Sequence, residues 1–151
     1  MKFHKVEYKR YVKLRILATV IDYGIYFTFF FVYIYALGTK NEEGTMEVTG
    51  LLAMPIFIFW FLYFVVTEAV NQATPGHDIC KLVVLKSKGD EISMWDACKR
   101  RIVDPIDIFF YGIPALICIC NTPKYQRLGD LLADTVVIKK SDIIKTEVNF
   151  R

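Results

Sequence analysis

No lysine or arginine interrupts three apolar blocks, residues 16–37, 51–70 and 102–120, although the chain of 151 residues carries 19 of them. A helix needs about 20 apolar residues to cross the hydrocarbon core of a bilayer, and the first two blocks approach that length. The composition agrees with this patterning: 54% of residues are hydrophobic, 15% are aromatic, and the mean hydropathy is +0.34. These values exclude a water-soluble enzyme as the leading reading. They also exclude intrinsic disorder, which needs few aromatics and a high net charge. A net charge of +3 is too small and too dispersed to imply nucleic acid as a partner. The length allows at most one domain with short appendages.

The positions of the charges orient the blocks. Residues 1–15 hold six basic side chains and one acid, whereas the connection 38–50 holds Lys40 against Glu42, Glu43 and Glu47. Six basic residues return in 71–101 and six more in 121–151. Lysine and arginine collect on the cytoplasmic side of short loops. The N-terminus therefore reads as cytoplasmic, the 38–50 connection as outside and 71–101 as inside, in a multi-pass protein of the cell membrane. The first block is too long for a secretory leader and no cleavage site follows it, so it reads as a retained helix.

The third block conflicts with a simple count of spans. A full crossing would strand the basic tail outside. Pro105 and Pro114 also interrupt the helical hydrogen-bond ladder within it, and Gly112 adds a weak point. A broken or re-entrant segment satisfies both facts and is favoured over three full spans. Backbone of that kind is tolerated at membrane depth only under cover of protein or water. Along the chain, one helix is expected over 12–37 and a second over 50–70. Thr74-Pro75-Gly76 marks a turn. Short strands are expected at 81–85 and 134–138, able to pair as a cytoplasmic β-hairpin if the third block returns. Ser93 is placed to cap a helix starting at Met94. Trp60, Phe57 and Phe61 are expected to face lipid or a partner helix. The fold class is thus an α-helical integral membrane protein with two full transmembrane helices, a third broken segment and a short β-hairpin.

Acidic residues inside apolar blocks are the candidate site residues, because an unpaired charge there is expensive. Asp22 lies two helical turns beyond Arg15 and on nearly the same face. It reads either as part of an ion or proton path or as a buried partner for an arginine or backbone donor. Arg15 is placed to snorkel to the headgroups. Asp104 and Asp107 are neighbours on one helical face; they read as a proton-exchange pair or as partners of Arg100 and Arg101. Glu68 reads as a surface or interfacial residue. Cys80, Cys98, Cys118 and Cys120 match no zinc spacing and read as small apolar residues in a reducing compartment. His4 and His77 suggest no site by themselves. No nucleophile–base motif, phosphate loop or metal pattern is visible, so no enzyme activity, cofactor or metal is expected.

Several stretches together resemble the RDD family, named for one arginine and two aspartates. They are Arg15-x-x-Ala18-x-x-x-Asp22, Thr74-Pro75-Gly76 with Leu82-Val83-Val84, Ala97-x-x-Arg100 with Asp107, and Gln126-Arg127-Leu128-Gly129-Asp130-Leu131-Leu132-Ala133 with Thr135-Val136-Val137. They follow the family's order over residues 12–138, leaving 1–11 as a basic segment and 139–151 as a polar tail of one domain. Asp134 stands where the family usually has glycine, and Lys81 where a glycine often precedes the valine strand. His77 replaces a common lysine or glutamine. The resemblance implies a multi-pass membrane protein with a suggested role in transporting an unidentified ligand, and it adds Arg127 and Asp130 as family positions, read as a cytoplasmic charge pair. Two functions follow: an oligomeric ion or proton-coupled transporter using Asp22 and Asp107, or a non-transporting scaffold that binds another membrane protein.

Overall fold

A short strand β1, His4–Val6, precedes the first long helix, α1, Val12–Leu37. The computed structural model describes residues 4–6 and 8–145. At about 1.5 Å per residue, the 26 residues of α1 span about 39 Å, enough to cross a bilayer. Its buried positions are Arg15, Ala18 and Asp22, a single stripe, while Val20, Phe31 and Tyr35 are exposed. A helix of a water-soluble protein would bury the opposite set. A polar inner stripe under an aliphatic and aromatic exterior is what lipid selects.

Strands β2, Thr39–Lys40, and β3, Met46–Glu47, pair antiparallel in the acidic connection. The second long helix, α2, covers Gly50–Asn71. It begins as a 3₁₀ turn over Gly50–Ala53 and widens to π-helical hydrogen bonding over Phe61–Val66, where the Thr67 amide donates to the Leu62 carbonyl. A π turn shifts the faces of a helix by one residue relative to its start. Here Phe64 and Val65 are buried within the turn and Glu68 just after it. Phe57 is exposed, as expected, but Trp60 packs inward against Phe64.

The remaining elements gather around the other end of the helix pair. Helix α3, Pro75–Ile79, lies against α1. Gly76 makes that approach feasible, since a Cβ there would stand 2.3 Å from the Ala18 carbonyl oxygen. Strand β4, Leu82–Lys86, leads to helix α4, Met94–Ile102. Ser93 caps α4 as expected: the Asp96 amide donates to its hydroxyl at 3.3 Å and the Ser93 amide donates to the Asp96 carboxylate at 2.9 Å. The Ser93 amide and hydroxyl, both donating to the Asp96 carboxylate, together with Lys86 outweigh partial burial and hold the Asp96 pKa below its ordinary value.

The third block is broken. Helix α5, Asp104–Phe109, and helix α6, Ile113–Asn121, are separated at Tyr111 and Gly112, which both take left-handed backbone, with φ of 54° and 76°. Their six and nine residues reach about 9 and 14 Å, well short of the ~30 Å hydrocarbon core. The ends of the block meet, because Asp104 pairs with Arg127 at 2.8 Å just before helix α7, Leu128–Leu132. The block therefore leaves and returns to the same end of the molecule.

Strand β5, Thr135–Lys139, then runs antiparallel to β4, with Val84 opposite Val137 and Val83 opposite Ile138. The expected hairpin is thus a two-stranded ribbon: its strands pair, but residues 87–134 separate them in place of a tight turn. Both faces of the ribbon are buried, which explains the unbroken apolar runs Leu82-Val83-Val84-Leu85 and Val136-Val137-Ile138. One face joins Ala18, Val65 and Ala97, and the other is covered by Tyr8 and Tyr11. Strand β6, Ile143–Lys145, pairs with β1, bringing the two ends of the chain together. Lys81 and Asp134, where the resemblance expects glycine, both adopt left-handed φ, 56° and 49°. The backbone keeps a glycine-type turn even where the side chain does not.

Candidate functional site

Asp22 is 2% exposed and completely engaged. Its Oδ1 accepts the Gly76 amide at 2.7 Å and the Tyr63 hydroxyl at 3.2 Å. Its Oδ2 accepts the Thr74 hydroxyl at 2.5 Å and faces His77 Nδ1 at 3.3 Å. Nδ1 also lies 2.7 Å from the Thr74 hydroxyl, so a protonated Nδ1 donating into this pair satisfies both contacts. Burial pushes the His77 pKa below its ordinary value despite the neighbouring carboxylates Asp22 and Glu68, so the ring is neutral. Asp22 is thus held by dipoles and carries no full cationic partner. It clamps α1 to the turn formed by Thr74-Pro75-Gly76.

A second, larger constellation occupies the junction of α1, α2, α4, α5 and α7. Arg100 is fully buried and reaches Glu68 at 3.0 Å, Asp130 at 2.6 Å and the Thr135 hydroxyl at 2.8 Å. Arg101 donates through Nε and Nη2 to Glu68 at 2.9 and 2.6 Å and through Nη1 to Asp104 at 2.8 Å, with its guanidinium over the Phe64 ring. Arg127 pairs with Asp104 at 2.8 Å and lies 3.6 Å from Asp130. Arg15 donates to the Tyr125 carbonyl at 2.7 Å and to Asp130. Tyr23 donates to Asp104 at 3.0 Å. Burial alone would raise the Asp130 pKa, but Arg100, Arg15, Arg127 and the Arg127 amide together hold it well below the ordinary carboxylate range.

Four arginines thus meet four carboxylates, Glu68, Asp104, Asp107 and Asp130. Three of the acids are tied in. Asp107 is different: it is 7% exposed, yet neither of its oxygens accepts a hydrogen bond, and Arg127 Nη1 stands 3.9 Å away. Nη2 of Arg127 is likewise buried without a hydrogen-bond partner. Both residues line a cavity of about 380 Å³ between α1 and the broken third block. Its walls are mainly apolar and include Ile16, Val20, Leu116 and Ile119.

A family model described as the RDD family matches residues 12–134. The chain belongs to the RDD family. No curated protein and no solved structure matches it. RDD membership and two apolar helices of spanning length mark the chain as a membrane protein. Its family residues now have places. Arg15, Arg100, Arg127 and Asp130 form one ion-pair cluster, whereas Asp22 sits apart in the Thr74–His77 site. No hydrogen bond or ion pair links Asp22 to Asp107 among the described residues, so the two acids do not form a contiguous pair.

Three expectations are corrected. Glu68 is not a surface residue: it is 0% exposed, because the π turn in α2 directs it onto Arg100 and Arg101. Arg15 does not snorkel; it turns inward to Asp130 and the Tyr125 carbonyl. Asp107 is not paired with Arg100 or Arg101; among the two acids of that helix, only Asp104 meets Arg101. Arg127 and Asp130 do approach each other, but as members of the cluster and not as an isolated pair. Sequence reading missed Thr74, His77, Tyr23 and Tyr63. For His77 a signal existed, its position one residue after a turn glycine in a family motif. The tyrosines carried none, since both lie among many aromatics.

Proposed function

We propose that this RDD protein is a multi-pass, non-enzymatic protein of the cell membrane that exchanges a proton or small cation at Asp107. The observation that carries this reading is the buried carboxylate of Asp107, which accepts no hydrogen bond on either oxygen and belongs to the lining of a cavity. An acid inside an apolar segment that does no structural bonding is the group free to gain and lose a cation. Asp22 is structural in this reading, so the path runs through one acid. The N-terminus is cytoplasmic, by the charge distribution, and the broken third block dips into the bilayer and returns, like the interrupted helices of transporter sites. Two long helices and a short broken segment cannot enclose a path, so the working unit is an oligomer.

Purified protein in proteoliposomes carrying an interior pH dye and an imposed sodium or potassium gradient tests the reading. Wild type is expected to move protons against the cation gradient, and Asp107→Asn to abolish the movement. Flux that survives Asp107→Asn overturns the assignment. A reporter fused at Arg151 is expected on the cytoplasmic side. The scaffold reading draws on the exposed aromatics of the helix pair, Phe31, Tyr35 and Phe57, as a surface for another membrane protein. It gains if wild-type protein, correctly folded, moves nothing.

A further inference from the structure

The groove beside Asp107 contains two unmet demands of opposite sign. Asp107 offers two carboxylate oxygens that accept nothing, and Arg127 offers an Nη2 that donates to nothing. A buried polar group without a hydrogen-bond partner is costly, more so when charged, so a binding partner for both is favoured. The surrounding cluster is electrically balanced, four arginines against Glu68, Asp104, Asp107 and Asp130. A bare anion, or a cation held there permanently and not exchanged, would leave it with an excess charge in a low-dielectric setting. A zwitterion would not.

We propose that this groove binds the headgroup of an ethanolamine phospholipid, with the primary ammonium on Asp107 and a phosphate oxygen on Arg127 Nη2. The two protein groups are neighbours, Arg127 Nη1 lying 3.9 Å from Asp107, and two carbons separate the ammonium from the phosphate in ethanolamine. The ammonium is the selective element. It supplies three N–H donors to carboxylate oxygens that accept none from the protein, whereas a choline headgroup supplies no N–H at all. The walls identify a lipid in preference to a soluble zwitterion. Ile16, Val20 and Leu116 line the groove and are 48%, 63% and 36% exposed, so its apolar wall is open and not sealed within the protein. The groove therefore opens sideways onto the surface that faces the acyl chains, and its 380 Å³ takes a headgroup while the tails remain in the bilayer. The proposal shares Asp107 with the cation-exchange reading, but it rests on the paired vacancy and the wall chemistry.

Native mass spectrometry of the full chain, released from nanodiscs of equal parts phosphatidylethanolamine, phosphatidylcholine and phosphatidylglycerol, tests it. Ethanolamine lipid is expected to be retained about tenfold over choline lipid, the size of one charge-assisted hydrogen bond. Wild-type protein offered phosphatidylethanolamine and its mono-, di- and trimethylated forms should lose retention stepwise as N–H donors disappear. This series needs no variant to fold. Asp107→Asn should bring ethanolamine and choline lipids to equal retention, and Asp107→Glu should restore part of the preference. Equal retention of the two lipids by wild type overturns the proposal, as does a preference for phosphatidylglycerol. Displacement of the lipid by equimolar phosphoethanolamine would overturn the lipid assignment in favour of a free zwitterion. Flux measured in vesicles of phosphatidylcholine alone reports on cation exchange without the lipid, so either idea can fail while the other stands.

Discussion

Asp22 and Asp107 are both carboxylates inside apolar stretches, and they are treated in opposite ways. Asp22 accepts an amide and two hydroxyls and faces a neutral histidine, while Asp107 accepts nothing from the protein. The first has been converted into a fastener between α1 and α3. The second has been left available. Intramembrane acidity by itself therefore does not mark a functional site; the count of donors around each oxygen does.

The comparison breaks most visibly through the arginine–carboxylate cluster beside Asp107. Arg100→Met leaves Glu68 and Asp130 short of a partner, and loss of one member of a buried pair costs about 3–5 kcal/mol. Little monodisperse protein is expected by size exclusion in detergent. Gly76→Ala is the next largest. Its Cβ would meet the Ala18 carbonyl at 2.3 Å and the Asp22 carboxyl carbon at 2.7 Å, and such overpacking costs about 1–3 kcal/mol or more. A thermal melt should show the loss, whereas Gly24→Ala, with open space around it, should hold or raise the melting temperature.

Asp22→Asn follows, at about 1–3 kcal/mol, because an amide nitrogen would be turned against donors. The same site carries a pH dependence with a definite sign. The His77 pKa is lowered by burial, so the unfolded chain binds the extra proton more readily than the folded one. Stability from this group is complete above the ordinary histidine pKa of 6.5 and is lost as the pH falls below it. The loss is at most about 1.4 kcal/mol per pH unit, and melts of His77→Gln at pH 5 and pH 7.5 should show a flatter response. The smallest loss belongs to Asp107→Asn, expected to be no less stable than wild type because it removes a buried carboxylate that accepts no hydrogen bond. A large loss of stability there would show that Asp107 is a fastener after all.

Much of the fold was legible in the sequence. The two long helices, the cap at Ser93 and both ribbon strands follow from apolar length, a short polar side chain before a helix, and valine runs between turn residues. The break in the third block followed from Gly112 and Pro114. The site was legible only as a set of residues. Which acid meets which arginine depends on the π turn that rotates Glu68 inward and on the return of the chain to Arg127, and no local pattern encodes either. The burial of Arg15 illustrates the same point, since its partner Asp130 is remote in sequence and snorkelling is the default for a basic residue at a helix end.

The arginine–carboxylate cluster draws on residues made early and late. Glu68, Arg100 and Arg101 emerge from the ribosome before Arg127 and Asp130. At roughly 5–20 residues per second, the interval between residues 101 and 130 lasts a few seconds. Until it ends, Arg100 lacks Asp130 and Asp104 lacks Arg127, so each keeps a charge only partly neutralised. The closing Arg127 and Asp130 therefore give the cluster its charge balance only when the last of its members has been made.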